Sequence, residues 1–202
     1  MKLYDYTLAP SPRRVRIFLA EKGIDLPLVQ VDIMRNANRT PEFYRKNPRG
    51  SLPILEFDDG SCLSESVAIC RYFEEVQPDP PLFGVGAKER ASVEMWNRRV
   101  ELSIFAPVGH VWSHLSPASA GRGFRIPEFG RIQSDVATRG LAILDEALFE
   151  RTFIAGERFS IADITTLCMI DFAKTVEITI QPEQKNLTRW YQSVSSRQSA
   201  KA

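Results

Sequence analysis

The chain has 202 residues, 44% of them hydrophobic and 25% charged, with a net charge of +1. These are the proportions of a soluble globular protein of one or two domains, and the even charge gives no reason to expect nucleic acid or a membrane surface as a partner. No apolar run approaches the roughly 18 residues that a spanning helix needs.

The three cysteines, Cys62, Cys70 and Cys168, are scattered and odd in number. The N-terminus enters a strand pattern without an export signal, so they are expected as reduced thiols in a cytoplasmic protein. Residues 2–6 read as a short strand, and 7–12, TLAPSP, as a loop. Residues 13–22 carry an apolar stripe of Val15, Phe18 and Leu19, with Gly23 as the helix stop. Residues 28–33 are a second strand, which makes a right-handed parallel βαβ unit. Residues 34–39 are polar loop. Thr40 caps a short helix over 41–46 with Pro41 in its first turn. Asn47-Pro48-Arg49-Gly50 is a turn.

The stretch 51–75, SLPILEFDDGSCLSESVAICRYFEE, is the densest in signals. Leu52-Pro53 sets a bend before the strand 54–57, and Asp58-Asp59-Gly60 is a hairpin turn. Ser64-Glu65-Ser66 opens a helix with Val67, Ile69, Cys70, Tyr72 and Phe73 on its apolar face. A proline at a strand start belongs at an edge or boundary. A cis bond there would turn the backbone of Leu52 toward an extended peptide. The helix start offers N–H groups and hydroxyls to a carboxylate, and Glu65 beside it can hold an ammonium. This pattern fits a small peptide with a free amino-acid end.

Gln77-Pro78-Asp79-Pro80-Pro81 breaks the pattern and places a domain boundary, with a linker to about residue 86. The expected domains are 1–78 and 87–202. In 87–116, Val93, Trp96, Val100 and Ile104 recur at helical spacing, and Pro107 is expected to kink or end that helix. Residues 118–127 are a loop, and 132–149 an amphipathic helix. Ser160 and Asp163 form a capping box for a helix to about residue 174, with Phe159 placed as its staple. A last short helix covers 186–195.

Three segments carry a family resemblance: SPRRVRIFLAEKGI (11–24), NPRGSLPILEFDDGSCLSESVAICRYFEE (47–75) and FSIADITTLCMIDFAK (159–174). Together with the tail RWYQSVSSRQSAKA they make the chain resemble the cytosolic glutathione transferases, the bacterial theta-, beta- and zeta-like members in particular. The resemblance covers essentially the whole chain. It implies a thioredoxin-like α/β domain followed by an all-α helical bundle that carries the second-substrate pocket. It also implies glutathione as co-substrate, a small electrophilic and mostly apolar second substrate, a part in detoxification, no metal, and a homodimer.

Carried over onto these residues, the resemblance makes Pro53 the cis proline and Leu52 the backbone partner of the glutathione cysteinyl unit. Glu65 and Ser66 hold the γ-glutamyl end, and Asp163 shapes the helical core. Ala9 stands at the position of the theta-like activating serine. Ser11, where beta- and zeta-like proteins carry cysteine, is the candidate thiolate partner, with Thr7 behind it; Tyr4 and Tyr6 are less well placed. Arg49 stands in, at a shifted position, for a lysine often found before the proline motif.

Each assignment has a plainer counterpart. Glu65-Ser66 can be an acidic helix start, and Ser11 a turn serine that caps the following helix. Arg13, Arg14 and Arg16 read more readily as a solvated helix face than as anion-steering groups. His110 and His114 have an i, i+4 spacing that can hold zinc, but no third ligand is evident, so they are read as flanking the second-substrate pocket. Phe105 and Trp112 can face an apolar substrate. The expected function is conjugation of the glutathione thiolate to small electrophiles. The alternatives are a non-catalytic binding protein of the same fold and a glutathione-dependent isomerase or dehalogenase.

Overall fold

The structure, a computed structural model, describes residues 1–202. The chain divides into two compact units, Met1–Leu82 with Gln198–Ala202, and Phe83–Arg197.

The first unit is a four-stranded sheet with helices. Its elements are β1 (Lys2–Asp5), α1 (Pro10–Lys22), β2 (Leu28–Gln30), α2 (Pro41–Lys46), β3 (Ile54–Glu56), β4 (Cys62–Ser64) and α3 (Ser66–Val76). The strand order is β2-β1-β3-β4, with β1 and β2 parallel and the other pairs antiparallel. This is the thioredoxin-like arrangement. Leu3, Leu55, Val15, Phe18, Ile69 and Phe73 are buried. Val31, Phe43 and Ile54 form a separate apolar cluster, packed against Tyr4, Leu52 and Cys62.

Two expectations shift here. The second strand is only Leu28–Gln30, because Asp32 caps a 3-10 turn over Ile33–Arg35 by accepting from the Met34 and Arg35 N–H groups. The first helix begins at Pro10 instead of residue 13, because proline is well suited to a helix's first turn, where its missing N–H has no partner to lose. Thr40 caps α2 as expected, accepting from the Phe43 N–H.

Lys22, at the end of α1, is fully buried. Its ammonium donates to the carbonyls of Gln77 (2.8 Å), Pro78 (3.1 Å) and Pro80 (2.6 Å) and pairs with Glu74 at 2.6 Å. The prolines thus supply acceptors that a regular helix would have consumed. Gln198–Lys201 form a 3-10 turn that docks on α1: Arg13 donates to the Ala200 carbonyl at 2.9 Å, and the Ser199 hydroxyl donates to Glu21.

The second unit is all helical: α4 (Gly86–Val100), α5 (Ala106–Leu115), α6 (Pro127–Ala147), α7 (Ile161–Ala173) and α8 (Lys185–Ser195). Pro107 neither ends nor breaks the rod. Residues Glu101–Phe105 form a π turn in which the Ala106 N–H bonds to the Glu101 carbonyl, five residues back. In an unbroken α-helix the Pro107 ring would press on the carbonyl four residues earlier; the wider turn relieves that clash. Gly140 of α6 lies against this turn: a Cβ there would sit 2.6 Å from Ile104 Cγ1. Trp96, Val100, Ile104, Ile143 and Leu144 line an apolar groove of about 230 Å³ beside it.

α7 is the core helix, buried along most of its length. Its capping box forms as expected. Asp163 Oδ2 accepts from the Ser160 N–H (2.9 Å) and hydroxyl (3.0 Å), and Oδ1 accepts from the Ile154 N–H (2.9 Å) and the Trp190 indole (2.8 Å). Burial pushes the Asp163 carboxyl up to about 6, against the downward pull of those four bonds.

Candidate functional site

Sheet register brings the candidate residues of the first unit together. Ile54 pairs with both Tyr4 and Ser64, so the end of β1, the start of β3 and the end of β4 lie side by side. Pro53 precedes Ile54, and Glu65 follows Ser64. The Leu52–Pro53 bond is cis. No backbone hydrogen bond within the chain engages Leu52, so its N–H and C=O remain available to an extended partner.

Glu65 is exposed and holds φ 72°, ψ 114° as it leads into α3. A residue with a Cβ adopts such a conformation at a cost of about 1–3 kcal/mol, typically where a function repays it. The Glu65 carbonyl accepts the Ile69 N–H at 3.0 Å. The N–H groups of Ser66, Val67 and Ala68 have no partner of that kind and concentrate positive potential at the helix mouth.

Ser66 is buried, and its Oγ accepts from Arg14 Nη1 at 2.9 Å. Arg14 is itself only 3% exposed. The reading of the three arginines as a solvated face is therefore wrong. Arg14 lies beneath Ser66, Arg16 pairs with buried Asp5 at 2.5 Å, and Arg13 holds the Ala200 carbonyl. The signal was present: Arg14, Phe18 and Lys22 recur at i, i+4, i+8, which puts them on the buried stripe with Val15.

The start of α1 is unusual in its donors. Pro10 and Pro12 have no N–H, the Ala9 N–H bonds to the Tyr6 carbonyl at 2.9 Å, and the Arg13 N–H to the Ala9 carbonyl at 3.2 Å. Ser11 alone offers an uncommitted N–H there, beside its own half-buried hydroxyl. The preceding loop is anchored. The Thr7 N–H and hydroxyl both donate to Gln30 Oε1 (3.1 and 3.0 Å), Gln30 Nε2 donates to Asp5 (2.5 Å), and Arg16 donates to the Thr7 carbonyl (3.0 Å). Thr7 is thus committed to the loop itself. Arg49 is exposed in the turn before β3, its N–H held by Asn47 Oδ1 at 3.1 Å.

Tyr4 is committed elsewhere. Its hydroxyl donates to Glu56 (2.8 Å), which also takes Lys46 (2.5 Å) and Lys2 (3.2 Å). The hydrogen bonds from Lys46 and Tyr4 lower the Glu56 carboxyl to about 2. Burial pushes the Cys62 thiol up, which makes it a poor thiolate.

In the helical unit, His110 and His114 pack around Phe129, with ring centroids 5.3 and 5.2 Å from it. His114 Nδ1 accepts the Ile126 N–H at 3.1 Å, and His110 Nδ1 lies 3.3 Å from Gln133 Oε1. Trp112 lies near Phe172, with centroids 6.5 Å apart.

A thioredoxin-like sheet with a cis proline opening β3, a helix mouth next to it and an all-helical second unit defines a protein of the glutathione transferase type. Comparison with known proteins agrees. Residues 9–76 match the family model for the glutathione S-transferase N-terminal domain, and 132–198 the model for its C-terminal domain. Glutathione S-transferase 2 of Saccharomyces cerevisiae is 35% identical over 205 residues, covering 100% of this chain and 88% of that one. The chain belongs to the glutathione S-transferase family.

The crystal structure of Gtt2 from Saccharomyces cerevisiae superposes with a TM-score of 0.95 at 35% identity, covering 100% of this chain and 99% of that one. A glutathione S-transferase domain-containing protein of Marinobacter aquaeolei VT8 superposes equally well, with a TM-score of 0.95 at 38% identity over 98% of this chain and 99% of the other. Maleylacetoacetate isomerase of Pseudomonas aeruginosa is 32% identical over 173 residues, covering 81% of this chain and 77% of its own. No helix is long and apolar enough to cross a membrane.

Proposed function

We propose that this chain, a member of a family of glutathione-using enzymes, conjugates the glutathione thiolate to small, mostly apolar electrophiles in the cytoplasm. Residues 1–78 bind glutathione, and 87–202 supply the second-substrate pocket, with the His110, His114 and Phe129 cluster on its wall. The Leu52 peptide pairs with the cysteinyl unit beside Pro53. Glu65 takes the γ-glutamyl ammonium, and Ser66, oriented by Arg14, takes its carboxylate together with the α3 N–H groups. Arg49 meets the glycyl carboxylate. Ser11 donates to the sulfur, which attacks the electrophile and expels its leaving group.

The observation that most supports this is Glu65. Its backbone holds a positive φ that a residue with a Cβ rarely adopts, and its exposed carboxylate stands at the N-cap of an anion-favouring helix mouth. Glu65→Ala and Ser66→Ala should each weaken glutathione binding, since a hydrogen bond to a charged group contributes roughly 1.5–3 kcal/mol. Titration calorimetry with glutathione tests this; unchanged affinity in both variants would remove the site.

The similarity to an isomerase supports a second reading, in which the same thiolate adds to the substrate and leaves again. Product analysis separates the two: a stable thioether marks conjugation, and a rearranged substrate with glutathione regenerated marks isomerisation. A binding-only role predicts affinity for glutathione without either product.

A further inference from the structure

The peptide unit read as the glutathione partner is framed from behind by two buried asparagines. Asn47, which follows α2, is 2% exposed. Its Nδ2 donates to the Ser51 carbonyl (2.9 Å) and hydroxyl (3.0 Å), and its Oδ1 accepts the Arg49 N–H at 3.1 Å. Its own carbonyl accepts the Gly50 N–H at 2.8 Å. Asn38, in the stretch between β2 and α2, is 6% exposed, and its Nδ2 donates to the Gly50 carbonyl at 2.6 Å.

The carbonyls of Gly50 and Ser51 and the N–H groups of Arg49 and Gly50 are all committed in this way. Leu52, next in the chain, is left without an internal backbone partner. The turn cannot easily sidestep. Gly50 holds φ 62°, and a Cβ there would lie 2.8 Å from Tyr44 Cε1 and 3.3 Å from the Asn38 carbonyl oxygen. At both positions a side-chain N–H donor meets a backbone carbonyl that a carboxylate would repel, and at Asn47 the amide oxygen accepts as well, so both halves of that amide are used. Neither side chain bonds to a sheet strand, so holding the ladder together does not explain them.

We infer that Asn38 and Asn47 are positioning residues for glutathione, holding the 47–51 turn so that the Leu52 peptide stands ready for the cysteinyl unit. This rests on the reading of Leu52 given under the proposed function. It makes the two asparagines matter for glutathione affinity without touching either substrate.

The test uses the full chain with Asn38→Asp and Asn47→Asp, which keep the shape and replace the donor by a charge. The dissociation constant and KM for glutathione should rise roughly three- to tenfold in each, the effect of about one lost hydrogen bond. kcat at saturating glutathione and KM for a chlorodinitrobenzene electrophile should hold. An aspartate among carbonyls has a raised pKa and, once protonated, donates again. Glutathione affinity of the variants should therefore recover as pH falls from about 8 toward 5, a recovery wild type lacks.

A lower melting temperature with unchanged glutathione affinity would reduce the asparagines to stabilising groups and overturn the inference. So would a fall in kcat with KM unaltered. Should the aspartate variants not fold, Asn38→Ser and Asn47→Ser, with a shorter donor, carry the same expected rise in KM, and an unchanged glutathione affinity in them overturns the inference equally. A wild-type protein that gives no binding heat with glutathione overturns the proposed function instead; a wild type that binds beside variants that bind equally well overturns only this inference.

Discussion

If the Ser11 hydroxyl donates to the glutathione sulfur, Ser11→Ala removes one of two donors at the start of α1 and leaves the other, its own backbone N–H. A free thiol has a pKa of about 8.5, and bringing it to about 6.5 requires roughly 2.7 kcal/mol. A hydrogen bond to an anion contributes about 1.5–3 kcal/mol, so the hydroxyl alone could account for one to two pKa units. Turnover at neutral pH should fall roughly 10- to 100-fold while glutathione affinity barely changes, because Leu52, Glu65 and Ser66 are untouched. Raising the pH should restore part of the rate, since solvent then removes the proton. The assay is a titration of the ultraviolet thiolate band of bound glutathione in both proteins. Superimposable curves would remove the hydroxyl from the mechanism. They would leave the Ser11 N–H as the donor, because the neighbouring prolines have none and the N–H groups of Ala9 and Arg13 are already bonded.

Asp163→Ala strips the acceptor from the Ile154 and Ser160 N–H groups and the Trp190 indole, each a buried donor costing about 1–3 kcal/mol when unmet. That exceeds the loss of a simple cap, and the melting temperature should drop by about 10 °C or more at roughly 2–4 °C per kcal/mol, with glutathione affinity intact in the folded fraction; an unmoved melt refutes the role. Because the Asp163 carboxyl is raised to about 6 in the folded chain, the native state holds that proton more tightly than the unfolded one. Its stabilising contribution is fullest below about pH 4 and is lost as pH rises to about 6, so the stability gap between wild type and Asp163→Asn should narrow over that window, and a gap that widens contradicts it. Dimerisation should bury exposed Met95, Leu102, Ile132 and Ile143 of the helical unit; light scattering at micromolar concentration that finds only the 22.9 kDa chain would exclude it.

Local chemistry made much of this legible. Thr40 before Pro41, Gly23 after Lys22 and the Ser160–Asp163 pair each named a helix end, because capping is decided within a few residues. The helix mouth at Glu65 and the bend at Pro53 were readable for the same reason. What escaped was set by distant partners. Arg14 read as solvent-facing by charge, and only its helical spacing with Phe18, read against the buried stripe, could have put it inside. The anchoring of Thr7 by Gln30 depends on strand pairing that no local pattern reveals. Asn38 and Asn47 read as ordinary loop and turn residues, because their partners are backbone carbonyls, which leave no trace in composition.

The π turn at Glu101–Phe105 amounts to one residue more than a continuous helix would hold. Everything beyond it is set by that surplus. Removing a single residue there would rotate the rest of the rod by about 100° and draw it back by about 1.5 Å. His110 and His114 would then point along a different line, away from Phe129, Trp112 would leave Phe172, and Pro107 would be driven against the carbonyl of the preceding turn. The direction in which residues 110–114 face is therefore held in register by the length of the segment before them. Relatives that gain or lose one residue at this point would present a different set of side chains from an otherwise unchanged helix, with no substitution along it.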